Sequence, residues 1–262
     1  MDSPRIIYDF GANNGDDLPY YLRKADKVVA VEANPVLCDG LRARFGDEVA
    51  SGRLVVEDKV LATRGAPSEV HFYVHKTHDV LSRFPEPDDP ADFDKVLLPS
   101  CSPLALIERH GEPHYIKIDV EYFDVPILRE LFDGGVRPPF ISAEAHTVEV
   151  FAVLMGLGGY RAFKIVDGRS VPVSYGNATI DGPEGPETFH FPLHSAGPFG
   201  DDVRGPWLDG AELIEALVMD GFGWKDIHAS NIREPERTSP GARTLARRLL
   251  SKAKRDLKRT LR

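Results

Sequence analysis

The chain has 262 residues, 42% of them apolar and 28% charged, which is the balance of a globular protein long enough for one α/β domain. No stretch approaches eighteen uninterrupted apolar residues, which excludes a membrane-spanning helix, and two cysteines, Cys38 and Cys101, make no disulfide scaffold. The formal charge of -9 is unevenly placed: Asn231 to Arg262 carries 11 basic and 3 acidic residues, leaving a body of -17 that disfavours a nucleic-acid backbone as partner.

The N-terminal MDSPRIIYDF lacks the basic, apolar and cleavage regions of a secretory leader, so a cytoplasmic setting is expected. Arg5 to Phe10 reads as a strand running into GANNGDD, and Leu18 to Arg23 as a helix. Lys27 to Val31 is a second strand, closed by Glu32. Pro35 then opens a helix carrying Leu37, Leu41 and Phe45 at helical spacing. Leu54 to Glu57 is a third strand, and Glu69 to Val74 alternates in period two as a half-buried fourth. Residues 85–103, with prolines at 85, 87, 90 and 99 among many acids, read as a loop or lid. Leu104 to Arg109 is a short helix, His114 to Ile118 a central strand, and Val125 to Phe132 a helix stopped by Gly134 and Gly135. Phe140 to Ala143 is a strand and Glu149 to Leu157 a helix, while Ala162 to Val166 and Thr188 to Phe191 are expected to pair antiparallel at the sheet edge.

His194 to Asp202 is turn-rich, and Asp209 caps a helix through Met219; residues 194–230 are expected to form a C-terminal cover. Strands alternating with helices predict one Rossmann-like α/β domain over 1–230, with a mostly parallel sheet and helices on both faces. The basic tail, 231–262, has an amphipathic stretch after Thr244. Its composition suits contact with nucleic acid, a membrane surface, the acidic body itself or another subunit of a homo-oligomer.

A strand, then DFGANNG, then a helix is the arrangement of a nucleotide-binding turn, with Gly11 permitting the bend and Gly15 close packing. Glu32, at the end of the second strand, is placed to accept both hydroxyls of a ribose, from either NAD or S-adenosylmethionine. Asp9, Asn13 and Asn14 suit a cationic sulfonium with an amino-acid tail better than a pyrophosphate. Asp58, after the third strand, is either a partner for the adenine amino group or a surface acid.

In an open parallel sheet the carboxyl ends of the strands face the ligand crevice, and Asp119 and Glu144 lie there. Two such carboxylates, with Glu121 as a further candidate, can hold a hard divalent ion such as Mg²⁺ and acidify a hydroxyl. His146, two residues past Glu144, can accept the hydroxyl proton; His228 and His78 compete for that role. Lys117 shares the side of Asp119 on its strand, either as a catalytic group or as an ion-pair partner beneath the site.

Taken together, YDFGANNGD, VVAVEANP, YIKIDVEYFDVPIL and a following E-x-H resemble the FkbM-type methyltransferases over residues 5–166. That family usually shows D-x-G-A-N-x-G, E-P or E-x-N-P, and K-I-D-V-E-G-x-E; here Tyr122 replaces the glycine and Asp124 the last glutamate. The resemblance implies a class I fold that binds S-adenosylmethionine and methylates a hydroxyl, often of a sugar or natural product. It assigns Asp9, Gly11 and Glu32 to the cofactor and Lys117, Asp119 and Glu121 to the strand motif. The metal role of Asp119 and Glu144 is similar to that in magnesium-dependent sugar methyltransferases. A small-molecule or oligosaccharide acceptor is therefore expected. The rivals are an NAD-dependent oxidoreductase, which needs a Tyr-x-x-x-Lys or His-Asp relay, and a catalytically silent binding domain, against which the gathered acids and histidine argue.

Overall fold

Along strand β1 (Ile6–Phe10), Ile6, Tyr8 and Phe10 point to one face and Ile7 to the other, and apolar layers cover both. The computed structural model describes residues 4–183 and 185–236. β1 is followed by α1 (Leu18–Lys24), β2 (Lys27–Glu32), α2 (Pro35–Arg44), α3 (Gly46–Ala50) and β3 (Leu54–Asp58). The chain then leaves the main sheet for β4 (Val60–Leu61), β5 (Glu69–His75) and β6 (Phe93–Cys101). It returns through α4 (Pro103–His110), β7 (Tyr115–Ile118), α5 (Asp124–Asp133), β8 (Phe140–Glu144), α6 (Val148–Gly156) and β9 (Ala162–Asp167). A short α7 (Val171–Ser174), the strands β10 (Ala178–Gly182) and β11 (Gly185–Phe189), α8 (Gly210–Asp220) and β12 (Lys225–Ser230) complete it.

The main sheet has seven strands in the order β3-β2-β1-β7-β8-β12-β9. The first five run parallel, and β12 is antiparallel to both of its neighbours. Helices α4, α5, α6 and α8 close one face around Ile116, Ile118, Leu128 and Leu154. On the other face α1, α2 and the segment through Phe199 and Trp207 pack over Ile7, Tyr115 and Phe140. The α/β class expected from sequence is therefore observed. No helix among the described residues is long and apolar enough to cross a membrane.

Three expectations need correction. Residues 85–103 are not all loop: β6 is a nine-residue strand pairing antiparallel with β5 and parallel with β4, in a small sheet with its own core of Val60, Val70, Phe72 and Leu98. Pro85, Pro87 and Pro90 precede it, and Pro99 falls at the last pair of the β5 ladder, opposite Glu69, where a missing N–H is tolerated. Ala162 to Val166 does not pair with Thr188 to Phe191; β9 pairs with β12, and β11 forms a hairpin with β10. Residues 225–230, expected in a cover, are a strand inside the sheet. There Ile227 and Ala229 join one core while Asp226, His228 and Ser230, also buried, occupy the alternate positions. The amphipathic stretch after Thr244 lies outside the described residues.

Candidate active site

The turn between β1 and α1 is built by backbone constraints that side chains would violate. Gly11 has φ of 87°, and a Cβ there would lie 1.8 Å from the carbonyl oxygen of Asp119, so the two strand ends touch only because residue 11 is glycine. Its amide and that of Ala12 both donate to the carbonyl of Val31, at 3.0 Å, which folds the turn toward the end of β2. Gly15, with φ of 76°, lies against Leu41 and serves packing beneath the turn.

Above this turn opens a cavity of about 400 Å³, lined among others by Gly11, Asn13, Asn14, Glu32, Lys117 and Asp119. One carboxylate oxygen of Glu32 accepts from the amide of Asn13 at 2.9 Å and the other from that of Asn34 at 2.8 Å. Each oxygen is left with capacity for one more donor, the pattern a vicinal diol needs. Burial raises this carboxyl above the ordinary range, and the amides of Asn34 and Asn13 pull it back down. Asn13 adopts φ of 46°, and its side-chain oxygen accepts from the amide of Asn14 at 2.7 Å. Asp58 turns outward to pair with Arg42 at 3.2 Å, so the surface-acid alternative is the one observed; Lys59, Val60, Leu61 and Phe72 line that end of the cavity instead.

Under the floor, Lys117 gathers three carboxylates: Asp9 at 3.3 Å, Asp119 at 3.4 Å and Asp17 at 3.7 Å. Its ammonium also donates to the carbonyl of Gly11 at 3.2 Å. Burial alone would lower the lysine pKa, but the charges of Asp9, Asp119 and Asp17 hold it well above the ordinary value. Lys117 is therefore a fixed cation and not a base, which decides for the ion-pair alternative. Asp9 is fully buried and does not line the cavity; burial raises it to about 7 against the opposing pull of Lys117. Contact of Asp9 with a cofactor tail is thus replaced by support through Lys117. Asp17, which sequence reading missed, does line the cavity, and it accepts from the Ser195 hydroxyl at 2.5 Å and the Ala196 amide at 3.0 Å.

At the other end Asp119, Glu121 and Glu144 each place an oxygen within 4.8 Å of the others, the three acids expected from sequence. Glu121 sits at φ of 45°, a left-handed turn that swings its carboxyl back over the strand end. Burial, then the charges of Asp119 and Glu144, raise it to about 7. Three hard oxygen donors gathered this closely fit a divalent cation.

Nε2 of His146 lies 3.0 Å from Glu144, and its ring stacks on Tyr122 at 4.4 Å between centroids. Burial opposes its charged form, but Glu144, Asp124 and Glu121 together raise it to about 9. His228 is not on a covering loop: it is buried in β12, and burial and Lys164 lower it to about 3. Enclosed in the sheet and 2% exposed, it is no candidate for the base. His78 is exposed and lies beside His75; like His146 it is not on the cavity lining, whereas His194 is. Sequence reading also missed the roof: Asp79, Val80, Ser82, Arg83 and Phe84 between β5 and β6, with Phe84 on Phe123 at 5.0 Å. Two Tyr-x-x-x-Lys spacings occur, Tyr20 with Lys24 and Tyr160 with Lys164, and none of these four residues lines the cavity.

The methyltransferase FkbM domain family matches residues 9–161, more than half of the chain, and the chain belongs to that family. That family is one of methyltransferases. No curated protein matches the chain. Among solved structures it is similar to the methyltransferase FkbM of Methylobacillus flagellatus, at 15% identity and a TM-score of 0.42, covering 62% of this chain and 40% of that one. An O-methyltransferase of Thermotoga maritima is 11% identical with a TM-score of 0.37, covering 89% of this chain and 61% of that one. For an O-methyltransferase of Bacillus cereus the values are 12% and 0.37, with 87% and 74% covered. The chain spans less than two thirds of the first and second of these proteins.

Proposed function

We propose that the chain transfers the methyl group of S-adenosylmethionine to a hydroxyl of a sugar or oligosaccharide, assisted by a divalent ion such as Mg²⁺. The observation that carries this reading is the meeting of Asp119, Glu121 and Glu144 at the mouth of a cavity whose far end presents Glu32 for a ribose. We extend this reading to the actinobacterial 1-O-methyltransferase of methylmannose polysaccharide assembly, which makes a mannoside the first acceptor to try.

When bound, the cofactor supplies an electrophilic methyl group and the ion polarises the acceptor hydroxyl. Glu32 accepts from the two ribose hydroxyls. Gly11, Ala12 and Asn13 shape the turn around the methionine end, and Lys117 keeps Asp119 aligned through its other carboxylates. Asp119, Glu121 and Glu144 would hold the ion. Methyl transfer is an in-line displacement, so fixing of donor and acceptor contributes much of the rate. His146, paired with Glu144, is the residue placed to receive the hydroxyl proton at its ring once the cation offsets the three negative charges. An ion held by the acids would lower the acceptor's need for a base, so His146 is secondary to them.

The test is methyl transfer from labelled S-adenosylmethionine to mannosides, with and without EDTA, in wild type and in D119A, E144A and H146A. Activity that survives both EDTA and D119A removes the ion from the reading. H146A is expected to lose about 10²-fold in rate with unchanged affinity for S-adenosylhomocysteine.

A further inference from the structure

Beside the cofactor cavity lies an open groove of about 800 Å³, and Tyr122 and His146 form the rim between the two. Both residues line the groove, while their partners across the rim, Arg83 over the Tyr122 ring at 4.7 Å and Glu144 beside His146, line the cavity. The groove floor runs the length of α5, from Asp124 to Asp133, and takes in the start of α6. A cavity of about 400 Å³ is near the lower end of ligand sites and is filled by a nucleoside cofactor, so an acceptor must approach from outside it. The three acids do not line the groove themselves, but its rim adjoins them: Tyr122 follows Glu121 in the chain and His146 lies 3.0 Å from Glu144.

Asp124, on the groove lining, is 2% exposed, and neither of its carboxyl oxygens meets a partner from another residue. A buried carboxyl left so costs free energy, and of the fully unpartnered buried carboxyls Asp124 is the one on the groove lining, where a ligand that donates to it would complete it. Whether protonated or not, this group accepts a hydrogen bond from a hydroxyl. Arg129 pairs with Glu149 at 3.0 Å, and Glu130 accepts from the backbone amide of Arg64 at 2.5 Å. With Asp124, Glu130, Asp133 and Glu149 set against Arg64 and Arg129 on the lining, a neutral polyhydroxylated molecule suits it better than an anion. Tyr122 holds the rim at φ of 70°, a left-handed conformation that is costly for an aromatic residue, and the residue remains 60% exposed.

We propose that this groove binds the non-reacting part of the acceptor and that Asp124 hydrogen-bonds a hydroxyl of a neutral sugar there. The assignment rests on the proposed sugar methylation, and the experiment separates the two. Full-length protein loaded with S-adenosylhomocysteine is titrated with mannobiose, followed by saturation-transfer NMR, in wild type, D124N, D124L and Y122G. Affinity should fall about tenfold or more in D124L, the scale of one buried hydrogen bond, and less in D124N. Y122G, relieved of its backbone strain, should fold as well as wild type and also bind the sugar more weakly. Unchanged affinity for S-adenosylhomocysteine in each variant shows that the fold is intact. Wild type that binds no mannobiose, or D124L that binds it equally well, overturns the groove assignment. Mannobiose that binds in a manner dependent on Asp124 but is never methylated leaves the groove assignment standing and sinks the proposed activity instead.

Discussion

One ammonium serves three carboxylates at Lys117, so its removal should be felt more widely than that of any partner. Lys117→Met leaves Asp9 and Asp17 buried without a counter-charge, and a loss of about 3–5 kcal/mol in urea unfolding is expected. A loss under about 1 kcal/mol would mean that the carboxyls simply protonate at little cost. Glu32 carries a different kind of burden, because its two oxygens are held by amides rather than by a cation. Glu32→Ala should weaken S-adenosylhomocysteine by about 1.5–3 kcal/mol in calorimetry, the scale of charge-assisted hydrogen bonds. Equal affinity in the variant would move the ribose elsewhere. Glu32 was legible because a strand-end acid follows a glycine turn at a telling distance. Asp17 was not, since an aspartate before a helix reads as a cap, and its partners Ser195 and Lys117 come from remote parts of the chain.

At the level of elements, α4 is tied to β3 by Glu57, which accepts from Arg109 and lies beside His110, both at 2.8 Å. Burial alone would raise the Glu57 carboxyl, but hydrogen bonds from His110 and Arg109 bring it below its ordinary 4.5. A depressed folded-state value contributes stability that is present above the unfolded value and is lost as pH falls through the folded one. Wild type should therefore exceed Glu57→Gln in stability at neutral pH and lose that advantage below about pH 4. Parallel unfolding curves at all pH values would show the contact to be idle. The parallel strands of the first half were readable because each is a short apolar run between turn signals. β12 was not: Asp226, His228 and Ser230 alternate with Ile227 and Ala229, which predicts a half-wet segment, yet the polar side is buried as well. β6 was obscured by the prolines just before it and by its exposure on both faces from Asp94 to Leu97.

Across the whole molecule, the segment between β11 and α8 acts as the lid of one apolar layer. Phe199 stacks on Tyr115 at 4.1 Å and meets Tyr20 and Phe140 edge-on, joining this segment to the centre of the sheet. Phe199→Ala should cost about 3–5 kcal/mol and be read as a lower thermal midpoint, because the cavity it leaves is bounded by strands that cannot collapse inward. A change under about 1 kcal/mol would show that the segment reseats itself. The order of strands carries one more consequence, for the growing chain. β8, α6 and β9 emerge from the ribosome before β12, and a strand, helix and strand in sequence tend to pair directly. In the finished sheet β12 stands between β8 and β9, so the last strand made must find its slot still open. Until residues 225–230 are synthesised, both strands present bare edges, and any early pairing between them has to be undone.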